Sequence, residues 1–142
     1  MNKNIFRCVI SLFLPLSLAA CTTAMYEGPE RPANELAMLK SVRTYVIQID
    51  GREANGLGTN EAKYQIPPGK HTILVALNDG NVDIMRRTSK EHRMIQFEAS
   101  AGREYKTFPF YPDGFKNKKW RVAVMDGVTG VVVAAESDEP SK

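Results

Sequence analysis

The 142 residues include 43% hydrophobic and 25% charged side chains, enough apolar material for one ordinary core in a chain of single-domain length. Lys and Arg outnumber Asp and Glu by only 19 to 16, with no basic block, so the electrostatic footprint that nucleic-acid affinity rests on is missing and nucleic acid is excluded as a partner. The two cysteines are Cys8 and Cys21, so beyond residue 21 there is no thiol nucleophile, thiolate metal ligand or disulfide.

The chain opens with Lys3 and Arg7, continues through an apolar stretch from Val9 to Leu18 and reaches small residues, the three parts of a bacterial secretory signal. The apolar stretch is about half of the roughly 20 residues that cross a hydrocarbon core, too short for a spanning anchor. Leu18-Ala19-Ala20-Cys21 resembles the lipobox of bacterial lipoproteins. That resemblance implies cleavage before Cys21 and acyl chains on its sulfur and new amino terminus, which would hold the protein on a membrane. The expected divisions are a signal peptide over 1–20, lipidated cysteine and tether over 21–31, a β-sandwich domain over 32–136 and a disordered tail over 137–142. Loss of Lys3 and Arg7 leaves 17 basic against 16 acidic side chains in the mature chain. In lipoproteins resembling those of enteric bacteria, Asp after the cysteine marks inner-membrane retention. Thr22 stands there, which implies the periplasmic face of the outer membrane, with the inner membrane as the alternative.

Thr22 to Arg31 mixes Gly28 and Pro29 with polar residues and reads as a tether. Pro32 to Lys40 collects helix formers, with Leu36 and Leu39 at i, i+3 and Pro32 near an acceptable first-turn position, so it is either a short helix or an irregular lead into a strand. From Thr44 the period becomes two. Tyr45, Ile47 and Ile49 alternate with Val46, Gln48 and Asp50, and Asp50-Gly51 closes the strand with a turn. A Gly/Asn loop follows from Glu53 to Glu61, then a brief strand over Lys63 to Ile66 and the breaker Pro67-Pro68-Gly69. His71, Ile73, Val75 and Leu77 share one face of the next strand, which ends at Asn78-Asp79-Gly80. Asn81 to His92 is polar and patternless, a loop or exposed edge. Ile95, Phe97 and Ala99 alternate, Ala101-Gly102-Arg103 turns the chain, and Tyr105 to Phe110 is a strand with Phe108 and Phe110 on the face opposite Tyr105. Tyr111-Pro112-Asp113-Gly114 fits a type I turn. Trp120, Val122 and Val124 make a sixth strand, and the loop Asp126 to Gly130 leads into a seventh at Val131 to Ala134. The expected fold is all-β, an antiparallel sandwich or partly open barrel of about seven strands with room for one short N-terminal helix.

Ile49-Asp50-Gly51, Ile66-Pro67-Pro68-Gly69-Lys70-His71-Thr72-Ile73 and Phe97 to Tyr105 recur in a recognisable order. With Tyr26 to Pro29 and Glu35 to Leu39 they resemble a group of small lipoproteins of uncharacterised activity in Gram-negative bacteria. The middle part is also similar to PEGA-like surface modules, in which a strand, an Ile-Asp-Gly turn, a Pro-Pro-Gly-(basic)-His turn and a second strand form an exposed β unit. The resemblance implies a β-sandwich on a lipid tether. It implies no activity.

Candidate chemistry is sparse. His71 begins an apolar strand face and reads as a half-buried hydrogen-bonding residue, and His92 sits in a solvated charged stretch. No metal site is expected, since two histidines without His-x-x-x-His or His-Glu-x-x-His spacing and scattered acidic residues fit neither zinc nor calcium. Gly-x-Ser-x-Gly, Ser-x-x-Lys and phosphate-loop patterns are missing as well, so no catalytic residue or cofactor is assigned. Arg86-Arg87 and Lys116 to Trp120 offer basic side chains suited to anionic headgroups, lipopolysaccharide phosphate or an acidic partner. The aromatic and basic loop is the candidate partner-binding surface, carried by Tyr111, Phe115, Lys118, Lys119 and Trp120, against the competing reading of a solvated loop around a Trp120 that packs inward. The expected function is a non-enzymatic binding or structural module that meets an envelope protein or polymer. The competing expectation is an envelope enzyme or enzyme inhibitor acting on peptidoglycan or another polysaccharide, which would gain if His71, Asp50 and Asp126 met in one pocket.

Overall fold

In the computed structural model, residues 22–54, 61–78, 88–114 and 119–136 are described. Ten strands follow one another in the chain: β1 (Thr22–Ala24), β2 (Ala37–Ser41), β3 (Thr44–Ile49), β4 (Arg52–Glu53), β5 (Lys63–Ile66), β6 (Gly69–Asn78), β7 (Thr88–Ala99), β8 (Glu104–Phe110), β9 (Arg121–Asp126) and β10 (Val132–Ala135). They form two sheets, one ordered β1-β5-β2-β8-β9-β10 and the other β4-β3-β6-β7. The fold is an all-β sandwich with no closed barrel.

The sheets close over a single apolar interior. Leu39, Tyr64, Ile66, Tyr105, Val122 and Val124 from the six-stranded sheet face Val46, Ile49, Ile73, Val75, Ile95 and Phe97 from the four-stranded one. Period-two burial decides most of these positions. His71, Ile73, Val75 and Leu77 lie inside, as do Trp120, Val122 and Val124. The buried hydroxyls of Thr44 and Thr107 join the sheets at 2.6 Å.

Four features depart from the sequence-based expectations. The helix formers after Pro32 make one 3-10 turn at Ala33–Glu35, and Ala37–Ser41 is a strand whose residues 37, 39 and 41 are buried. Burying that stripe between two strands outweighs helix propensity. The tether is partly a strand, because β1 pairs in parallel with β5, Thr22 opposite Lys63 and Ala24 opposite Gln65. Thr88 to His92, expected as a loop or exposed edge, keeps to the second of these and starts β7, an edge strand of the four-stranded sheet, with His92 opposite Ala76. The larger sheet is mixed, not antiparallel, since β2 also runs parallel to β8, Met38 opposite Glu104 and Lys40 opposite Lys106. A bulge between Val46 and Gln48 moreover shifts the phase of β3, so Val46 and Ile49 enter the core where an uninterrupted alternation would have placed Tyr45, Ile47 and Ile49 together.

Candidate functional site

Asp50 and Gly51 form the two-residue loop of the β3–β4 hairpin, both at positive φ (52° and 78°), the conformation in which Asp and Gly are least strained. The turn aims the Asp50 carboxylate back at β6. Oδ1 accepts from the Thr72 backbone N–H at 2.8 Å, and Oδ2 lies 2.6 Å from His71 Nδ1. The other ring nitrogen, Nε2, is 2.7 Å from the Pro67 carbonyl oxygen. Both ring nitrogens are thus engaged, one by a carboxylate oxygen and one by a carbonyl oxygen. His71 is 6% exposed and packs against Phe97, ring centroids 6.2 Å apart. A general base needs a free lone pair within reach of a substrate. This imidazole instead ties the Asp-Gly hairpin to the Pro-Pro-Gly turn.

Asp126 has partners of its own, on the opposite sheet. Its Oδ1 accepts from the backbone N–H groups of Val128 (3.0 Å) and Thr129 (2.8 Å), and its Oδ2 accepts from Arg103 Nη1 at 3.2 Å. The Thr129 and Val128 amides, and to a lesser degree Arg103, hold this carboxyl below its ordinary value of 3.8. The structure therefore joins Asp50 to His71 and gives Asp126 a loop-stabilising role elsewhere. Among the described residues no group of three or more His, Cys, Asp and Glu side chains is placed to hold a metal ion.

The aromatic and basic loop is altered more strongly. Trp120 is 2% exposed and belongs to the core, with the Arg93 guanidinium 5.7 Å from its ring centroid, so it is no surface aromatic. Tyr111 is half-buried against the core and starts the expected turn, in which the Gly114 N–H donates to the Tyr111 carbonyl at 3.1 Å. Lys119 is exposed. Phe115 and Lys118 lie outside the described residues, as do Cys21, Arg86-Arg87 and the expected tail over 137–142.

The sequence did not single out the outer face of the six-stranded sheet. A half-open groove of about 360 Å³ crosses β1, β5, β2 and the start of β8, lined by Thr22, Met38, Lys40, Lys63, Arg103 and Glu104 among others. Strand pairing sets Lys63 opposite Lys40, and Lys40 opposite Lys106, in one cross-strand row. Glu104 binds Lys40 at 2.6 Å and lies 3.8 Å from Lys106. Alternation alone predicts an outward-facing Lys40, Lys63 and Lys106, but their adjacency needs the pairing of three strands distant in sequence. Comparison with known protein families, with curated proteins and with solved structures finds no match for this chain.

Proposed function

We propose that this chain is a lipid-anchored lipoprotein of the bacterial envelope, a non-enzymatic binding or structural module on the periplasmic face of the outer membrane. The observation that carries this reading is the junction at Cys21. A short apolar run ends in Leu18-Ala19-Ala20-Cys21, and β1 begins one residue later, at Thr22. A cut before Cys21 would leave the described fold whole and put the acyl chains at its first strand. No helix among the described residues is long and apolar enough to cross a membrane, which suits attachment by acyl chains. Several chains hold a protein firmly where one holds it marginally. The geometry at His71, whose two nitrogens are both engaged, favours binding over acid–base chemistry.

The test is metabolic labelling of cells with a palmitate analogue. The wild-type chain should take up label and shrink on processing, and Cys21→Ala should remain an unlabelled precursor or be released to the soluble fraction. Label that survives Cys21→Ala overturns the anchor. Density-gradient separation of the two membranes tests the destination, and recovery with the inner membrane counts against Thr22 as an outer-membrane signal.

A further inference from the structure

We propose that the lysine row on the outer face of the six-stranded sheet is a binding site for the phosphate headgroups of anionic membrane lipids, and that it lays this face against the bilayer. The inference rests on the acyl anchor at Cys21 for its geometry. It adds a second, electrostatic attachment.

Three observations converge on it. The first is an uncompensated charge arrangement. Lys63, Lys40 and Lys106 occupy adjacent cross-strand positions on three neighbouring strands, and like charges directly opposite each other in a sheet repel. At a strand spacing of about 4.8 Å the row is only about 10 Å long. Glu104 is the carboxylate that answers it, and its oxygens are shared between Lys40 and Lys106. Lys63 is half-buried and has no ion pair with any described residue. A cation in that position calls for an anion from outside the fold.

The second observation is space. The row borders the groove of about 360 Å³, whose lining sets Thr22, Gln65 and Arg103 beside Lys63 and Lys40, with Glu104 the one acidic residue among them. Three basic residues against one carboxylate leave the lining with an excess of donors, which suits a phosphodiester, whose oxygens only accept. The third is position. Thr22 is the direct parallel partner of Lys63, and the Cα of Cys21 is about 3.8 Å from that of Thr22 by covalent geometry alone. Acyl chains on Cys21 would therefore enter the bilayer at the end of the lysine row, where headgroup phosphates are at their highest local concentration. Each basic side chain close to an anionic surface strengthens attachment about fivefold.

The full chain, purified from cells, is mixed with vesicles of phosphatidylcholine alone, or of phosphatidylcholine with one third phosphatidylglycerol. Flotation with the neutral vesicles reads the acyl anchor. Acylation of lysine amines by a water-soluble reagent, located by mass spectrometry, reads the row. Lys40, Lys63 and Lys106 should be modified about fivefold more slowly on the anionic vesicles than on the neutral ones, and the protection should vanish at high salt. Lys63→Glu sets a carboxylate opposite Lys40, so the fold should be at least as stable to urea, while protection at Lys40 and Lys106 is lost. A chain that floats with neutral vesicles but gains no protection on anionic ones keeps the anchor and overturns the row. Absence of flotation with neutral vesicles overturns the anchor, and the row then stands only if wild type floats with anionic vesicles and Lys63→Glu floats about thirtyfold less. If inorganic phosphate alone protects the three lysines as well as the vesicles do, the headgroup assignment is wrong and the groove is a free-anion site. Should Lys63→Glu unfold, the wild-type comparison between the two vesicle types decides alone.

Discussion

Replacing His71 by Ala breaks the link between two turns, and its cost can be worked from the contacts. The ring makes a hydrogen bond to the Asp50 carboxylate at 2.6 Å and one to the Pro67 carbonyl at 2.7 Å, in a site where it is 6% exposed. A hydrogen bond to a charged group is worth about 1.5–3 kcal/mol and a neutral one about 1, so His71→Ala should cost about 3 kcal/mol, a large part of the total stability of a small domain. Asp50→Asn is the informative partner. Asn tolerates the positive φ of 52° at this position, and its side-chain oxygen still accepts from the Thr72 N–H. Its amide can donate to Nδ1 of a neutral ring that keeps its proton on Nε2 for Pro67. Both contacts survive as neutral hydrogen bonds, so the cost should be about 1 kcal/mol and smaller than that of His71→Ala. Urea unfolding followed by the fluorescence of Trp120, 2% exposed in the native state, measures both variants at unchanged m. A His71→Ala cost under about 1 kcal/mol, or one no greater than that of Asp50→Asn, would refute the tie between the turns.

Three further outcomes follow from groups inside the sandwich. Asp126, held below its ordinary value of 3.8 by the Thr129 and Val128 amides, adds stability that is complete above that value and is lost as pH falls through the lower folded one. The difference in urea midpoint between wild type and Asp126→Ala should accordingly be constant near neutrality and shrink below pH 3.8; a difference that grows on acidification contradicts the assignment. Burial pushes the Tyr64 hydroxyl from 10.0 up to about 12, and that oxygen has no hydrogen-bond partner among the described residues. Its contribution is full below pH 10 and lost as pH rises toward 12, so Tyr64→Phe should match or exceed wild-type stability at neutral pH and resist alkali better; a clear loss at neutral pH would show a missed partner. Thr107→Val should cost about 1–2 kcal/mol by stranding the Thr44 hydroxyl, Thr44→Val less because the Thr107 hydroxyl keeps a long contact with the Lys40 carbonyl at 3.5 Å, and the double variant less than their sum, whereas strict additivity would mean that the 2.6 Å contact contributes nothing.

Turn chemistry and alternation made much of this fold legible. Asp50-Gly51, Tyr111 to Gly114 and Asp126 to Gly130 each mark a reversal that the backbone makes, and Pro67-Pro68-Gly69 marks the passage from one sheet to the other, because the residues that permit unusual φ or preset it are local signals. The inward set His71, Ile73, Val75 and Leu77 was equally plain. What escaped is non-local. Ala37 to Ser41 carries helix formers and becomes a strand only because β5 and β8 flank it. The bulge in β3 rotates its inward face without leaving a Gly or Pro to announce it. The lysine row was invisible for the same reason: each Lys reads as an ordinary solvent-facing residue until the register places the three side by side. Trp120 carried two signals, basic neighbours that suggested a surface aromatic and an alternation with Val122 and Val124 that set it on the buried face, and the second prevails.

The place of β2 in the larger sheet has a consequence for when this molecule can fold. β2 forms early in the chain, yet it lies between β5 and β8 and meets β8 in parallel, Met38 against Glu104. The inter-sheet contact of Thr44 with Thr107 spans 63 residues. Closing such long loops precedes any gain from the contacts they bring together, so the interior cannot assemble while the last third of the chain is absent, and assembly is slow even then. During synthesis the amino-terminal half can pair β2 with β5 and β3 with β4, but it lacks the β8 and β9 residues that close the interior. A delay of that kind leaves the early strands without a closed core until β8 and β9 have been made.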